Sequence, residues 1–143
     1  MQSFSFGGEE HQRFEIAVLG YERDATGDEY DDNWLAVEIS ITAGAFRGRF
    51  SASIFTSDLT AFHEELVALY KAPNGSAQFR TMEEQVSLNL KGDGLGHIEL
   101  QGEVLDQPGI GNRLSFSLSL DQTQVRASAQ SLATLINAFP IRA

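Results

Sequence analysis

Leu35-Ala36-Val37-Glu38-Ile39-Ser40-Ile41-Thr42, followed by Ala43-Gly44-Ala45 and then Phe46 to Ile54, decides the fold. Leu35, Val37, Ile39 and Ile41 take every second position, and Ala36, Glu38, Ser40 and Thr42 fill the places between. Successive side chains on a strand point to opposite faces, so this pattern describes a strand with one dry and one wet face. Antiparallel sheets supply that environment, whereas parallel strands covered on both sides read as unbroken apolar runs. The glycine-centred link is far shorter than a parallel crossover requires and predicts a hairpin. Beyond it, Phe46, Phe50, Ala52 and Ile54 alternate with Arg47, Arg49, Ser51 and Ser53.

The same period recurs on both sides of this hairpin. Phe14, Ile16 and Val18 precede it, and Val86, Leu88 and Leu90, then Ile98, Leu100 and Val104, then Leu114, Phe116, Leu118 and Leu120 follow. Lys91 to Gly96 and Gln107 to Asn112 are short and glycine-rich, as turns between adjacent strands are. Two segments change period. Leu59, Phe62, Leu66, Leu69 and Tyr70 form one helical stripe, capped by Thr56 or Ser57 and stopped by Pro73-Asn74-Gly75. Val125, Ala129, Leu132, Leu135 or Ile136, and Phe139 form a second, opened by Asp121 with Gln124 as capping-box partner and ended by Pro140. The expected fold is α+β: a mainly antiparallel β-sheet of about seven strands with two helices packed on its apolar face, in one domain over residues 1–143. Both helices follow directly from a strand, an architectural rhyme between the two halves of the chain.

Lys+Arg 10 against Asp+Glu 20 leave a formal net charge of -10. Such a chain repels nucleic acid and attracts basic partners, although the charge also serves plain solubility. No cysteine is present, which excludes disulfides and thiolate metal sites and is compatible with a reducing cytosol. The first ten residues lack a basic n-region and a long apolar run, so neither a signal peptide nor a membrane span is expected.

The acid is densest between Glu22 and Asp32, where Glu22, Asp24, Asp28, Glu29, Asp31 and Asp32 stand beside one Arg23. Unpaired buried charge costs several kcal/mol or more, so these acids are expected at the surface. Three readings stay open. The loop is a solvated hairpin connection, or a cation site, or a docking surface for a basic protein with Tyr30 as its aromatic anchor. Calcium fits least, because Asp24 to Glu29 lacks the alternating ligand spacing of a calcium loop. Trp34 shares the parity of the polar face; the simplest reading is that it starts its strand and packs over the sheet edge.

Other chemistry finds little in the sequence. His11, His63 and His97 are not at ligand spacing, and His63-Glu64-Glu65-Leu66-Val67 lacks the second histidine of a zinc helix. No Gly-x-Ser-x-Gly elbow exists. Glu83 and Glu84 are adjacent and read as a charged turn rather than a catalytic pair. Gly109 to Arg113 resembles, over a very short stretch, the phosphate-binding glycine loop of ApaG-like β-sandwiches, but a turn explains it better. Arg47 and Arg49 are expected to pair across strands with Glu38 or Glu15.

The order of these features resembles the WapI-type immunity proteins of bacterial polymorphic toxin systems. The residues that carry the likeness are Phe14-Glu15-Ile16, Gly20-Tyr21-Glu22, Asp31-Asp32-Asn33-Trp34-Leu35, Gly44-Ala45-Phe46, the helix from Leu59 to Tyr70, Leu88, Leu90, Gly94-Leu95-Gly96-His97, the closing helix and Phe139-Pro140. The resemblance implies a small cytoplasmic protein that binds and blocks the C-terminal domain of a cognate secreted toxin, with no catalysis and no cofactor. It supplies no contact residues. Charge and exposure nominate Asp28, Glu29, Tyr30, Asp31 and Asp32 as the partner-binding set, with no metal and a basic toxin domain as the partner. A homodimer formed through an exposed sheet edge is a further expectation. The alternative is a small-ligand, phosphate or cation-binding β-sandwich module.

Overall fold

A computed structural model describes residues 2–8 and 10–142. The order of elements is β1 (Gln2–Phe6), β2 (Gln12–Tyr21), a 3-10 turn (Asp31–Asn33), β3 (Trp34–Ala43), β4 (Phe46–Phe55), α1 (Thr56–Lys71), β5 (Ser76–Arg80), β6 (Val86–Gly92), β7 (His97–Leu105), β8 (Arg113–Asp121) and α2 (Gln122–Ala138). The expected α+β class holds, but the strands divide between two sheets, ordered β1-β2-β3-β4 and β5-β6-β7-β8, with every neighbouring pair antiparallel. The predicted hairpin pairs Leu35 with Ile54 and Ala43 with Phe46. Gly44 carries φ +63° there, a conformation that costs glycine nothing.

Each sheet ends in a helix, and each helix leaves its own half. The two helices pack on each other, and against the sheets α1 packs chiefly on β5 and α2 chiefly on β1. Side chains complete the exchange: Glu65 on α1 accepts the Gln78 N–H of β5 at 3.0 Å, and the Ser128 hydroxyl of α2 donates to the Ser5 carbonyl of β1. Two outer strands are thereby covered, which blunts edges that would otherwise template pairing. On β8, the Ser119 N–H donates to the Gln12 side chain at 3.2 Å.

One cluster of buried apolar residues runs through both sheets and both helices. Its centre is aromatic: Phe62 of α1 lies 4.8 Å from Phe79 of β5 and 6.2 Å from Phe4 of β1, ring centre to ring centre. Phe14 stacks on Phe116 at 5.9 Å, tying the first sheet to the second. Room for Phe116 comes from Gly102, its register partner, since a Cβ there would sit 2.3 Å from the ring. The capping prediction holds for α2, where Asp121 and Gln124 exchange hydrogen bonds of 2.8 and 2.9 Å. It fails for α1. Phe55 holds the cap position, Asp58 accepts the Phe55 N–H at 3.0 Å, and Thr56 turns its hydroxyl to Asn33 instead.

Candidate functional site

The loop from Glu22 to Asn33 joins β2 to β3, and its first link continues the ladder, with the Glu22 N–H donating to Trp34 at 3.0 Å. Short polar side chains then replace secondary structure. The Asp28 carboxylate accepts the N–H groups of Tyr30 at 2.9 Å and Asp31 at 3.3 Å, and the Asp28 carbonyl accepts the Asp32 N–H at 2.8 Å. Asp32 is the hub. Its carboxylate accepts the Thr26 N–H at 2.8 Å, the Thr26 hydroxyl at 2.9 Å and the Gly27 N–H at 2.8 Å. The Thr26 N–H foremost, with the Thr26 hydroxyl, the Gly27 N–H and the Arg142 charge, holds this acid below the ordinary carboxylate range despite burial.

The nominated residues therefore separate. Asp28, Glu29 and Tyr30 are exposed and Asp31 is half-buried, whereas Asp32 is only 2 % exposed. The expectation that every acid of this stretch lies at the surface fails at Asp32, because three donors from its own loop replace the water it gives up. Asp31 faces Arg23 at 3.7 Å, an exposed pair of small energetic consequence.

Asn33, which composition does not single out, fastens the loop to two distant elements. Its side-chain amide donates to the carbonyls of Glu29 at 2.6 Å and Arg142 at 2.9 Å, and its oxygen accepts from the Thr56 hydroxyl at 2.9 Å and the Arg142 N–H at 2.7 Å. Arg142 in turn lies over the Tyr21 ring at 3.5 Å and donates to the Arg23 carbonyl at 3.1 Å. The Tyr21 hydroxyl closes this strap on the Pro140 carbonyl. The segment after α2 thus holds the base of the acidic loop.

Beside the acids lies an aromatic ledge. Trp34 packs on Phe55 at 4.1 Å, and Tyr30 meets Phe55 at 5.1 Å and Trp34 at 5.8 Å. Trp34 does start its strand and is half-buried on the outer face, its ring covered by these neighbours. The Tyr30 hydroxyl reaches Met82 sulfur, 3.8 Å away, on the turn between β5 and β6. Asp58 accepts the Phe55 N–H at the start of α1, and burial raises its carboxyl above the ordinary value. Asn33 stands in the Asp31 to Leu35 stretch that carries the family likeness, but nothing in the linear pattern of the chain shows it as the clamp or marks Arg142 or Met82.

The remaining candidates resolve into local structure. Asp106 accepts the Asn112 N–H at 2.7 Å and its side-chain amide at 3.2 Å, so a phosphate entering the Gly109–Arg113 loop would meet a carboxylate. Arg49 pairs with Glu38 at 2.7 Å, the expected cross-strand bridge. Glu84 occupies the turn after β5 with φ +59°, a left-handed conformation uncommon outside glycine. Among the described residues no His, Cys, Asp and Glu side chains group as a metal site requires, and no helix is long and apolar enough to cross a membrane.

Fold and loop together define an acidic two-sheet α+β protein that holds a braced, carboxylate-rich loop in solvent. The sequence matches the immunity protein WapI-like family over residues 5–140, and the chain belongs to that family. Membership implies an immunity function, the binding of a cognate toxin. No curated protein matches the chain.

Proposed function

We propose that the protein neutralises the C-terminal domain of a secreted toxin by steric and electrostatic block, without chemistry or cofactor of its own, in the cytoplasm. Asp28, Glu29, Tyr30 and Asp31 meet a basic surface of that domain, and Asp32 acts from behind as the brace that keeps them in position. The observation that carries this reading is the contrast within five consecutive residues: Asp32 is buried and held by three donors, while Asp28, Glu29 and Tyr30 stand in solvent. A loop ordered before contact loses less entropy on binding, and carboxylates fixed in one place steer a basic partner toward them.

The test is association kinetics with the cognate toxin domain. Asp28→Asn, Glu29→Gln and Asp31→Asn combined should slow association by about tenfold at low salt and flatten its dependence on ionic strength. An unchanged on-rate with an unchanged salt slope removes this face from the interface.

A further inference from the structure

The acidic loop is one bank of a longer surface. Across the Tyr30–Met82 contact lies the turn between β5 and β6, which belongs to the other half of the chain and brings Met82, Glu83 and Glu84 alongside. Between this turn and the acidic loop, the outer face of the first sheet forms a groove of about 360 Å³. Ala36, Ser51 and Ser53 lie along it, Leu19 and Pro108 contribute apolar wall, and Glu22 and Glu83 are its two charged residues. No arginine or lysine lines it. Glu22 is oriented by the Ser53 hydroxyl, which donates to it at 2.6 Å. Leu19 in the wall is 55 % exposed, and the Tyr30–Met82 pair, which reaches the groove through Met82 beside Glu83, is 56 % and 55 % exposed, so large apolar side chains stand in water next to the two acids.

We propose that this groove is the second half of the partner-binding surface and that it receives a basic side chain, arginine or lysine, from an extended segment of the toxin domain, with the Tyr30–Met82 ledge as the apolar anchor beside it. The inference rests on the toxin-blocking reading above and adds the chemistry of one contact to it. Charge selects the occupant. Two carboxylates with no arginine or lysine among the lining residues attract a guanidinium or ammonium group, and the apolar walls suit its aliphatic stem. An acidic or purely apolar segment would leave Glu22 and Glu83 desolvated without a counter-charge, which is unfavourable. Tyrosine and methionine are among the residue types enriched at the centres of interfaces, where truncation costs most.

The test measures binding of the cognate toxin domain to the full chain and three variants. Glu22→Gln with Glu83→Gln preserves shape and removes charge. Glu83→Lys reverses one exposed turn residue and leaves the Glu22–Ser53 contact in place. The third variant is the loop substitution already described. The groove substitutions should weaken affinity by about tenfold or more, chiefly through faster dissociation, and the charge reversal should weaken it further. Emission of Trp34, the single tryptophan, should shift to the blue when the wild-type complex forms, because Trp34 touches Tyr30 on the ledge. If the groove variants bind like wild type while the loop variant is weakened, this proposal falls and the toxin-blocking reading stands. If the toxin domain does not bind the wild-type chain, that reading fails and the groove assignment with it. Titration with spermidine alone separates the remaining case: tight binding of the free polyamine would make the groove a small-cation site and overturn a docking role.

Discussion

Asn33 carries more of the site than any acid the composition advertises. Four hydrogen bonds converge on one buried side chain and join the loop, the start of α1 and the segment after α2. Truncation to alanine orphans the donors and acceptors facing it, so Asn33→Ala should cost about 2–3 kcal/mol in urea unfolding and leave the Trp34 emission of the folded state shifted to the red. Asp32 behaves differently because it titrates. Its folded-state pKa lies below that of the unfolded chain, so its stabilisation is complete above the ordinary carboxylate range and disappears as pH falls through the lowered value. Trp34 fluorescence on acidification should therefore report loop release only below that range. Asp32→Asn should show a loosened loop already at neutral pH, with the pH-dependent step removed. Asp58 opposes this trend: its pKa is raised, so the folded state binds that proton first, and this site's penalty is relieved as pH falls.

Within the elements, the sheets depend on size matching as much as on alternation. Gly102 looks like a flaw in β7 until its partner is considered: the Phe116 ring fills the space above it and stacks on Phe14 of the opposite sheet. Gly102→Val should destabilise by about 1–3 kcal/mol through overpacking. Phe116→Leu in the same chain should recover part of that loss, and a double-mutant cycle in urea would show the coupling. The helix starts differ in kind. Asp121 caps α2 with its own side chain, and Asp121→Ala should cost about 1 kcal/mol, whereas α1 has no comparable residue at its cap position. The two strands that the alternation leaves unmarked, Gln2–Phe6 and Ser76–Arg80, span five residues each, too few to separate a period of two from chance. Each lies at the outside of its sheet under a helix contributed by the other half.

At the scale of the whole molecule, the exchange of helices makes each half incomplete without the other. Phe62, Phe79 and Phe4 come from α1, β5 and β1 and form one cluster across the division. We propose accordingly that the chain folds as one domain. Thermal unfolding followed by far-ultraviolet circular dichroism and by Trp34 fluorescence should give coincident transitions. Separated transitions would mean two independent units. A homodimer through a sheet edge, if one forms, has β4 or β8 to use, since β1 and β5 are covered. The strand and helix periods, the short links, the capping of α2, the net charge and the family likeness were all legible in the chain, because each is set by residues close together in sequence or by their sum. The division into two sheets, the crossing of the helices and the sorting of Asp28 to Asp32 into exposed and braced acids were not. Those depend on where partners arrive in space: Arg142 reaches Asn33 across 109 positions of sequence, and Met82 reaches Tyr30 across 52. A carboxylate's cost of burial is decided by the donors that meet it, and only the folded chain brings those donors together.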